Sequence, residues 1–224
     1  MSAGSHSIAS AAPPRERQES AAPLVLIVDD DEALREAIGE LLASAGIDSA
    51  GFASTAQLLA SGLLARPGCL ILDVRMPGAS GLDLQERLRR EGEAKPIVFL
   101  TGHGDIPMSV QAMKAGAVDF LTKPVRDQTL LDAVGAAIAE DAARREAARV
   151  SRANAERLGR LTPREREVFV QVVRGRLNKQ IAFDLGISEV TVKLHRSNVM
   201  RKMEARSIGT LIRAWQTLPE PLRE

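Results

Sequence analysis

Four short apolar runs, each closed by a polar group, set the frame of the first half of the chain. Leu24-Val25-Leu26-Ile27-Val28 ends at Asp29-Asp30, Cys69-Leu70-Ile71-Leu72 at Asp73, and Ile97-Val98-Phe99-Leu100 at Thr101. Val118-Asp119-Phe120-Leu121 leads to Lys123-Pro124. Runs of this length predict strands buried on both faces, the pattern of a parallel sheet covered by helices. A weaker segment over 47–52 predicts a fifth strand. Between the strands, apolar residues return at helical spacing. Leu34, Ile38, Leu41, Leu42 and Ala45 precede Gly46, and Leu82, Leu84 and Leu88 fall in a helix over 81–91. Further helices are predicted over 54–60 and 107–115, the latter stopped by Gly116, with loops at Met76-Pro77-Gly78 and Gly102-His103-Gly104. Five alternations of strand and helix predict a doubly wound, five-stranded parallel α/β domain.

The pattern then changes. Leu130, Leu131, Val134 and Ile138 mark an amphipathic helix, and the Ala-, Arg- and Glu-rich stretch over 136–158 contains no proline to end it. Its apolar residues thin out after Ile138, which predicts an exposed helical spacer or a partner-facing coil, the coil being less favoured for want of sustained heptads. Thr162-Pro163-Arg164-Glu165 combines a capping box with proline at the first helical position. Val168, Val172 and Val173 give that helix its apolar face. A short helix over 178–185 stops at Gly186, Ser188 caps a third helix reaching Met203, and Ser207 opens a fourth reaching Trp215. Two helices joined by Leu185-Gly186-Ile187-Ser188 form a helix-turn-helix candidate inside an all-α, four-helix domain. The predicted division is a disordered tail over 1–22, the α/β domain over 23–140, a helical linker over 141–159 and the four-helix domain over 160–218.

Charge sharpens this division. Residues 23–124 carry 14 acidic and nine basic residues, net −5, whereas residues 158–215 carry five acidic and 12 basic residues, net +7. An acidic first module and a basic second one suggest a metal or phosphate regulator joined to a nucleic-acid binder. The single cysteine, Cys69, lies inside an apolar run, so no disulfide forms within the chain and it reads as a small core residue. That usage suits a cytoplasmic setting. No stretch approaches the roughly 20 apolar residues that span a bilayer, so no membrane association is expected.

In a parallel sheet the ligand sits beyond the carboxyl ends of the strands. Asp29, Asp30, Asp73, Thr101 and Lys123 would therefore converge on one sheet edge. Three carboxylates together are costly unless a divalent cation offsets them, and hard oxygen ligands favour Mg²⁺. Such a site can accept a phosphoryl group on a carboxylate, with Lys123 neutralising its oxygens and Thr101 donating a hydroxyl hydrogen bond. Lys123-Pro124 is a candidate cis peptide bond that would aim the lysine. Singly, each of these residues is more simply a strand end or a turn. Their joint order carries the reading.

Residues 23–140 resemble the receiver domain of two-component response regulators. The resemblance rests on Val28-Asp29-Asp30, Asp73-Val74-Arg75-Met76-Pro77-Gly78, Thr101 and Phe120-Leu121-Thr122-Lys123-Pro124. It implies that Asp73 is the phosphoacceptor for a sensor histidine kinase. Asp30 and Asp73 would ligate Mg²⁺ with the backbone carbonyl of Arg75, Asp29 acting through water. Thr101 and Phe120 would form a switch pair. The stretch from Thr101 to Met108, with Ala112-Met113-Lys114-Ala115-Gly116-Ala117, is similar to the FixJ branch, that of the styrene-catabolism regulators.

In the third helix of the basic domain, Val192, Val199 and Met203 are spaced to pack inward, leaving Lys193, Arg196, Ser197, Arg201 and Lys202 largely free. An exposed face of this kind can enter a major groove. Residues 160–216 resemble the LuxR/FixJ/NarL DNA-binding domain through Leu161-Thr162-Pro163-Arg164-Glu165, Asn178-Lys179-Gln180-Ile181-Ala182, Leu185-Gly186-Ile187-Ser188 and Thr191-Val192-Lys193-Leu194-His195-Arg196. The resemblance implies base-edge contacts from Lys193, Leu194 and Ser197, and backbone contacts from Lys179, Thr191, His195 and Arg201. Together the two resemblances imply a regulator, not an enzyme. Phosphorylated on Asp73, it would dimerise and bind double-stranded promoter DNA to act with RNA polymerase, most simply as an activator. Two other readings compete. An aspartyl-nucleophile phosphohydrolase would carry a second Asp where Arg75 stands, and a receiver-based interaction adaptor would not need a DNA-reading helix.

Overall fold

The computed structural model describes residues 22–102 and 106–223. The predicted tail therefore lies almost wholly outside the described residues, as do His103 and Gly104 of the predicted loop. The chain divides into two compact units, Met1–Ala143 and Arg144–Glu224.

The first unit is built on five parallel strands: β1 (Leu24–Val28), β2 (Asp48–Phe52), β3 (Leu70–Leu72), β4 (Ile97–Thr101) and β5 (Asp119–Thr122). Their order in the sheet is β2-β1-β3-β4-β5. The helices between them are α1 (Glu32–Ser44), α2 (Thr55–Ala60), α3 (Gly81–Arg90) and α4 (Ile106–Lys114). The long helix α5 (Asp127–Gly159) follows β5. Apolar runs became strands because alternate side chains enter two different cores. Leu24, Leu26, Val28, Leu70, Leu72, Ile97 and Phe99 pack with Leu58 of α2, Leu84 and Leu88 of α3 and Ala112 of α4. Val25, Ile27, Ile71, Val98 and Leu100 pack on the other face with Ile38 and Leu42 of α1 and Leu130, Val134 and Ala137 of α5. Each buried Val, Leu, Ile or Phe among them contributes about 1.5–3 kcal/mol relative to exposure. β2, which pairs only with β1, is half-exposed.

Element ends fall within a residue or two of their expected places. Asp31, Ser54 and Ser80 each accept a hydrogen bond from the backbone at the third residue onward, so α1, α2 and α3 start just after them. Cys69 is fully buried beside β3, and burial pushes its thiol up to about 12. It is the inert core residue its sequence suggests.

Residues 142–153 are exposed or half-buried, as an exposed spacer would be, but the two ends of the stretch depart from that expectation. α5 is one uninterrupted helix of 33 residues, but Asp141, Asn154 and Leu158 are buried. Asp141 Oδ2 accepts a hydrogen bond from the Gly68 amide at 2.9 Å. Asn154 Nδ2 donates to Thr217 Oγ1 at 2.9 Å, and Leu158 joins the core of the second unit. Thinning apolar residues signalled exposure, yet polar side chains with specific partners bury without any apolar stripe.

The second unit contains α6 (Pro163–Val173), α7 (Asn178–Leu185), α8 (Glu189–Lys202) and α9 (Ile208–Gln216). Thr162 and Glu165 form the expected capping box. Phe169, between Val168 and Val172, fills the core with Ile181, Val192, Val199, Met203 and Leu211. Gly186 ends α7 in the left-handed region at φ 64°, a conformation glycine adopts without Cβ cost, and this gives the tight turn into α8. Among the described residues no helix is long and apolar enough to cross a membrane.

Candidate functional site

The sheet register brings the ends of three strands level. Val28 pairs with Leu72 and Leu72 with Phe99, so the residues after them leave the sheet on the same edge. Asp29 follows β1, Asp73 follows β3 and Thr101 ends β4, and all three are buried. Asp30 is exposed. One carboxylate oxygen from each of Asp29, Asp30 and Asp73 lies within 4.8 Å of the others.

Lys123 enters from the loop after β5. Its amide donates to the Thr101 carbonyl at 2.9 Å, and the Lys123–Pro124 peptide is cis, as the sequence suggested. Its Nζ donates to Asp29 Oδ2 at 2.6 Å and Asp73 Oδ2 at 3.0 Å. Burial alone would weaken the ammonium's hold on its proton. The hydrogen bonds and charges of Asp29 and Asp73 outweigh that, so the Lys123 pKa is raised. Lys123 is therefore a permanent cation at neutral pH.

Backbone donors hold the two buried carboxylates. Asp29 Oδ1 accepts from the Asp31 amide at 3.0 Å and Asp73 Oδ1 from the Arg75 amide at 3.2 Å. Arg35 Nη1 donates to the Asp29 carbonyl at 2.7 Å. Asp31 points away to cap α1 through the Leu34 amide. A Cβ on Gly81 would stand 2.2 Å from the Asp73 carbonyl oxygen, so the first turn of α3 approaches the Asp73 backbone only because that residue is glycine. The three carboxylates form a hard-oxygen donor set whose negative charge the Lys123 ammonium only partly offsets. That set fits a divalent cation of the Mg²⁺ type.

Phe120 lies one strand from this cluster, partly buried on the α2–α3–α4 side of the sheet, its ring centroid 5.9 Å from that of Phe99. Thr101, Phe120 and Lys123 are thus gathered on the β4–β5 edge, Thr101 pairing with Thr122 in register.

In the second unit, Lys193, Ser197 and Arg201 of α8 and Lys179 of α7 are exposed, and Leu194 is 60% exposed. Thr191 and His195 are half-buried. The Thr191 hydroxyl lies 2.8 Å from that of Ser188, and His195 Nδ1 is buried with no hydrogen-bond partner among the described residues. Two cations expected to be free are engaged. Arg196 Nη1 donates to Asn178 Oδ1 at 2.6 Å, and Lys202 Nζ donates to Glu165 Oε2 at 2.6 Å. Glu165 is itself buried, and the Lys202 hydrogen bond holds its carboxyl below the usual glutamate range. The capping box was visible in the sequence. The partner 37 residues away was not.

Comparison with known proteins agrees with this anatomy. Residues 25–135 match the family described as response regulator receiver domain, and residues 159–215 match bacterial regulatory proteins, luxR family. The chain is similar to nodulation protein W of Bradyrhizobium diazoefficiens, 48% identical over 201 residues that cover 90% of this chain and 88% of that protein. It is similar to response regulator protein TodT of Pseudomonas putida, 48% identical over 202 residues, with the same coverage. Among solved structures, response regulator StyR aligns with a TM-score of 0.77 at 46% identity, over 88% of this chain and 99% of that one. An acidic cluster at the edge of a five-stranded parallel sheet, a helix-turn-helix in a basic second unit and relatives of this coverage make the chain a member of the response regulators with a receiver domain and a LuxR-family DNA-binding domain.

Proposed function

We propose that this response regulator is switched by phosphorylation of Asp73 and then binds promoter DNA as a homodimer, activating transcription with RNA polymerase. The carrying observation is the Asp73 carboxylate, held 3.0 Å from Lys123 Nζ within a cluster of three carboxylates. The phosphoryl donor is a phosphohistidine of a sensor kinase. Asp73 Oδ forms the new bond to phosphorus, the histidine P–N bond breaks, and the imidazole leaves with a proton. Lys123 then exchanges its hydrogen bond with the carboxylate for one with the phosphoryl oxygens, and Thr101 donates its hydroxyl to the same group. Asp30, Asp73 and the Arg75 carbonyl would hold Mg²⁺, with Asp29 acting through water. The metal supplies charge that offsets the phosphoryl oxygens.

The new charge biases a surface of the first unit through Thr101 and Phe120. The working division is a receiver over 23–140, a helical linker over 141–159 and a DNA-binding domain over 160–218, in a cytoplasmic regulator. Lys193, Leu194 and Ser197 meet base edges, and Lys179, Thr191, His195 and Arg201 meet the backbone. Arg75 stands where a phosphohydrolase of the aspartyl-nucleophile class would need a general acid, which favours a regulator over an enzyme.

The test is labelling with acetyl phosphate and Mg²⁺, followed by sedimentation and DNA binding. Wild type should gain one phosphoryl group on Asp73, dimerise and bind more tightly. Asp73→Asn should do none of these. Full labelling of Asp73→Asn would overturn the assignment.

A further inference from the structure

The exposed face of α8 carries two apolar side chains where a solvated helix would carry polar ones. Val190 is 76% exposed and Leu194 60% exposed, and neither joins the core that holds Val192, Val199 and Met203. At 3.6 residues per turn, both lie about 160° around the helix from Val192, on the side opposite the core. They are one turn apart on the same face. Ser197 and Arg201 continue that face toward the C-terminus, and exposed Lys193 borders it. A single exposed valine needs no explanation. A valine and a leucine one turn apart, bordered by cations in a unit of net charge +7 over 158–215, are placed for a polyanion that also presents apolar groups.

In the major groove, the apolar group that a base pair offers is the C5-methyl of thymine. The N-terminal residues of a recognition helix are those that reach base edges, and Val190 is the second residue of α8. We propose that Val190, together with Leu194, reads thymine methyl groups and so selects A·T pairs at two positions of each half-site. Val190 is thereby a specificity-determining residue beyond the polar and basic ones. The inference rests on the DNA-binding function proposed above.

The test uses the full chain, treated with acetyl phosphate and Mg²⁺, to select a preferred duplex from a randomised library. The selected duplex is then resynthesised with deoxyuridine for thymidine at one position at a time, which removes only the methyl group. Two positions per half-site should each lose about four-fold in affinity, the worth of one buried methyl. Val190→Ser should erase the loss at one of them and keep the other, and Leu194→Ser should do the reverse. An unchanged melting temperature shows that the variants fold, as expected for side chains this exposed. Deoxyuridine without effect at every position, or undiminished sensitivity in Val190→Ser, overturns the inference while leaving DNA binding intact. A library that yields no preferred sequence overturns the DNA-reading function itself, which is a distinguishable failure.

Discussion

Lys123 and Asp73 are 50 residues apart in the chain, yet Lys123 Nζ donates to Asp73 Oδ2 at 3.0 Å. The pair closes the sheet edge from β3 to the loop after β5. Asp29 shares the same ammonium at 2.6 Å, so one cation balances two buried carboxylates with a third close by. The lysine is less a surface ion pair than a fixed cation held between two buried carboxylates.

Removing that cation should therefore destabilise the first unit and change its response to metal. Lys123→Ala should cost about 3–5 kcal/mol, the range for removing one partner of a buried ion pair. Mg²⁺ should restore more of the melting temperature in the variant than it adds to wild type. Thermal unfolding with and without Mg²⁺ measures both. Equal metal stabilisation in the two proteins would show that Lys123 and the cation do not share the same charge.

Thr101 and Phe120 make a second prediction. Thr101 is buried at the end of β4, and Phe120 on the neighbouring strand is only partly covered. Thr101→Ala should accept phosphate on Asp73 within about two-fold of wild type, since the acceptor, Lys123 and the acidic cluster are untouched; a loss well below the tenfold that 1.4 kcal/mol represents is the criterion. Its dimerisation and DNA affinity should rise little on labelling. A full response in the variant, read by sedimentation and gel shift, would place the coupling elsewhere.

Much of this anatomy was legible in the sequence, for physical reasons that also mark where legibility stops. β1, β3 and β4 showed as apolar runs because both faces of a central strand are covered, and Asp29, Asp73 and Thr101 were found because the strand ends they follow are sharp. The Thr162 capping box and the caps Ser188 and Ser207 are local chemistry, so those helix starts could be placed to within a residue or two. Asp141, Arg196 and Lys202 were misjudged because each looks solvent-facing by pattern. Each is engaged by a partner brought close by the fold: Gly68, Asn178 and Glu165 among them, respectively. The Gln85 amide, buried and donating to the Ala112 carbonyl at 3.1 Å, is a further polar tie that periodicity cannot see.

Glu165 gives a pH prediction with a defined sign. Lys202 holds its folded pKa below the unfolded value of about 4.3 for glutamate. The stability it contributes is fully present above that unfolded value and is lost as pH falls through the depressed folded value. The single tryptophan, Trp215, packs against the second core, so its fluorescence reports that unit in the intact chain. Urea midpoints followed by Trp215 should hold above the unfolded glutamate value of about 4.3 and fall as pH drops below it in wild type. Glu165→Gln should be less stable at pH 7 and show a shallower fall. Parallel pH curves for the two proteins would mean that the Glu165–Lys202 pair is not a stability element.

The same pair separates three cations of α8 that look alike in sequence. Lys193 is exposed near the N-terminal half of the helix, within reach of base edges, and Lys193→Ala should relax sequence preference at a cost of about 1–3 kcal/mol. Arg201 is exposed two turns on, and Arg201→Ala should weaken cognate and scrambled duplexes alike, reducing the salt slope by about one phosphate contact. Lys202 differs from both, because its ammonium is spent on Glu165 at 2.6 Å. Lys202→Ala should lower the stability of the second unit and leave the salt slope unchanged. Affinities over a series of salt concentrations, paired with Trp215-monitored unfolding, resolve the three. A reduced salt slope in Lys202→Ala at undiminished stability would show that DNA, not Glu165, is the partner that matters.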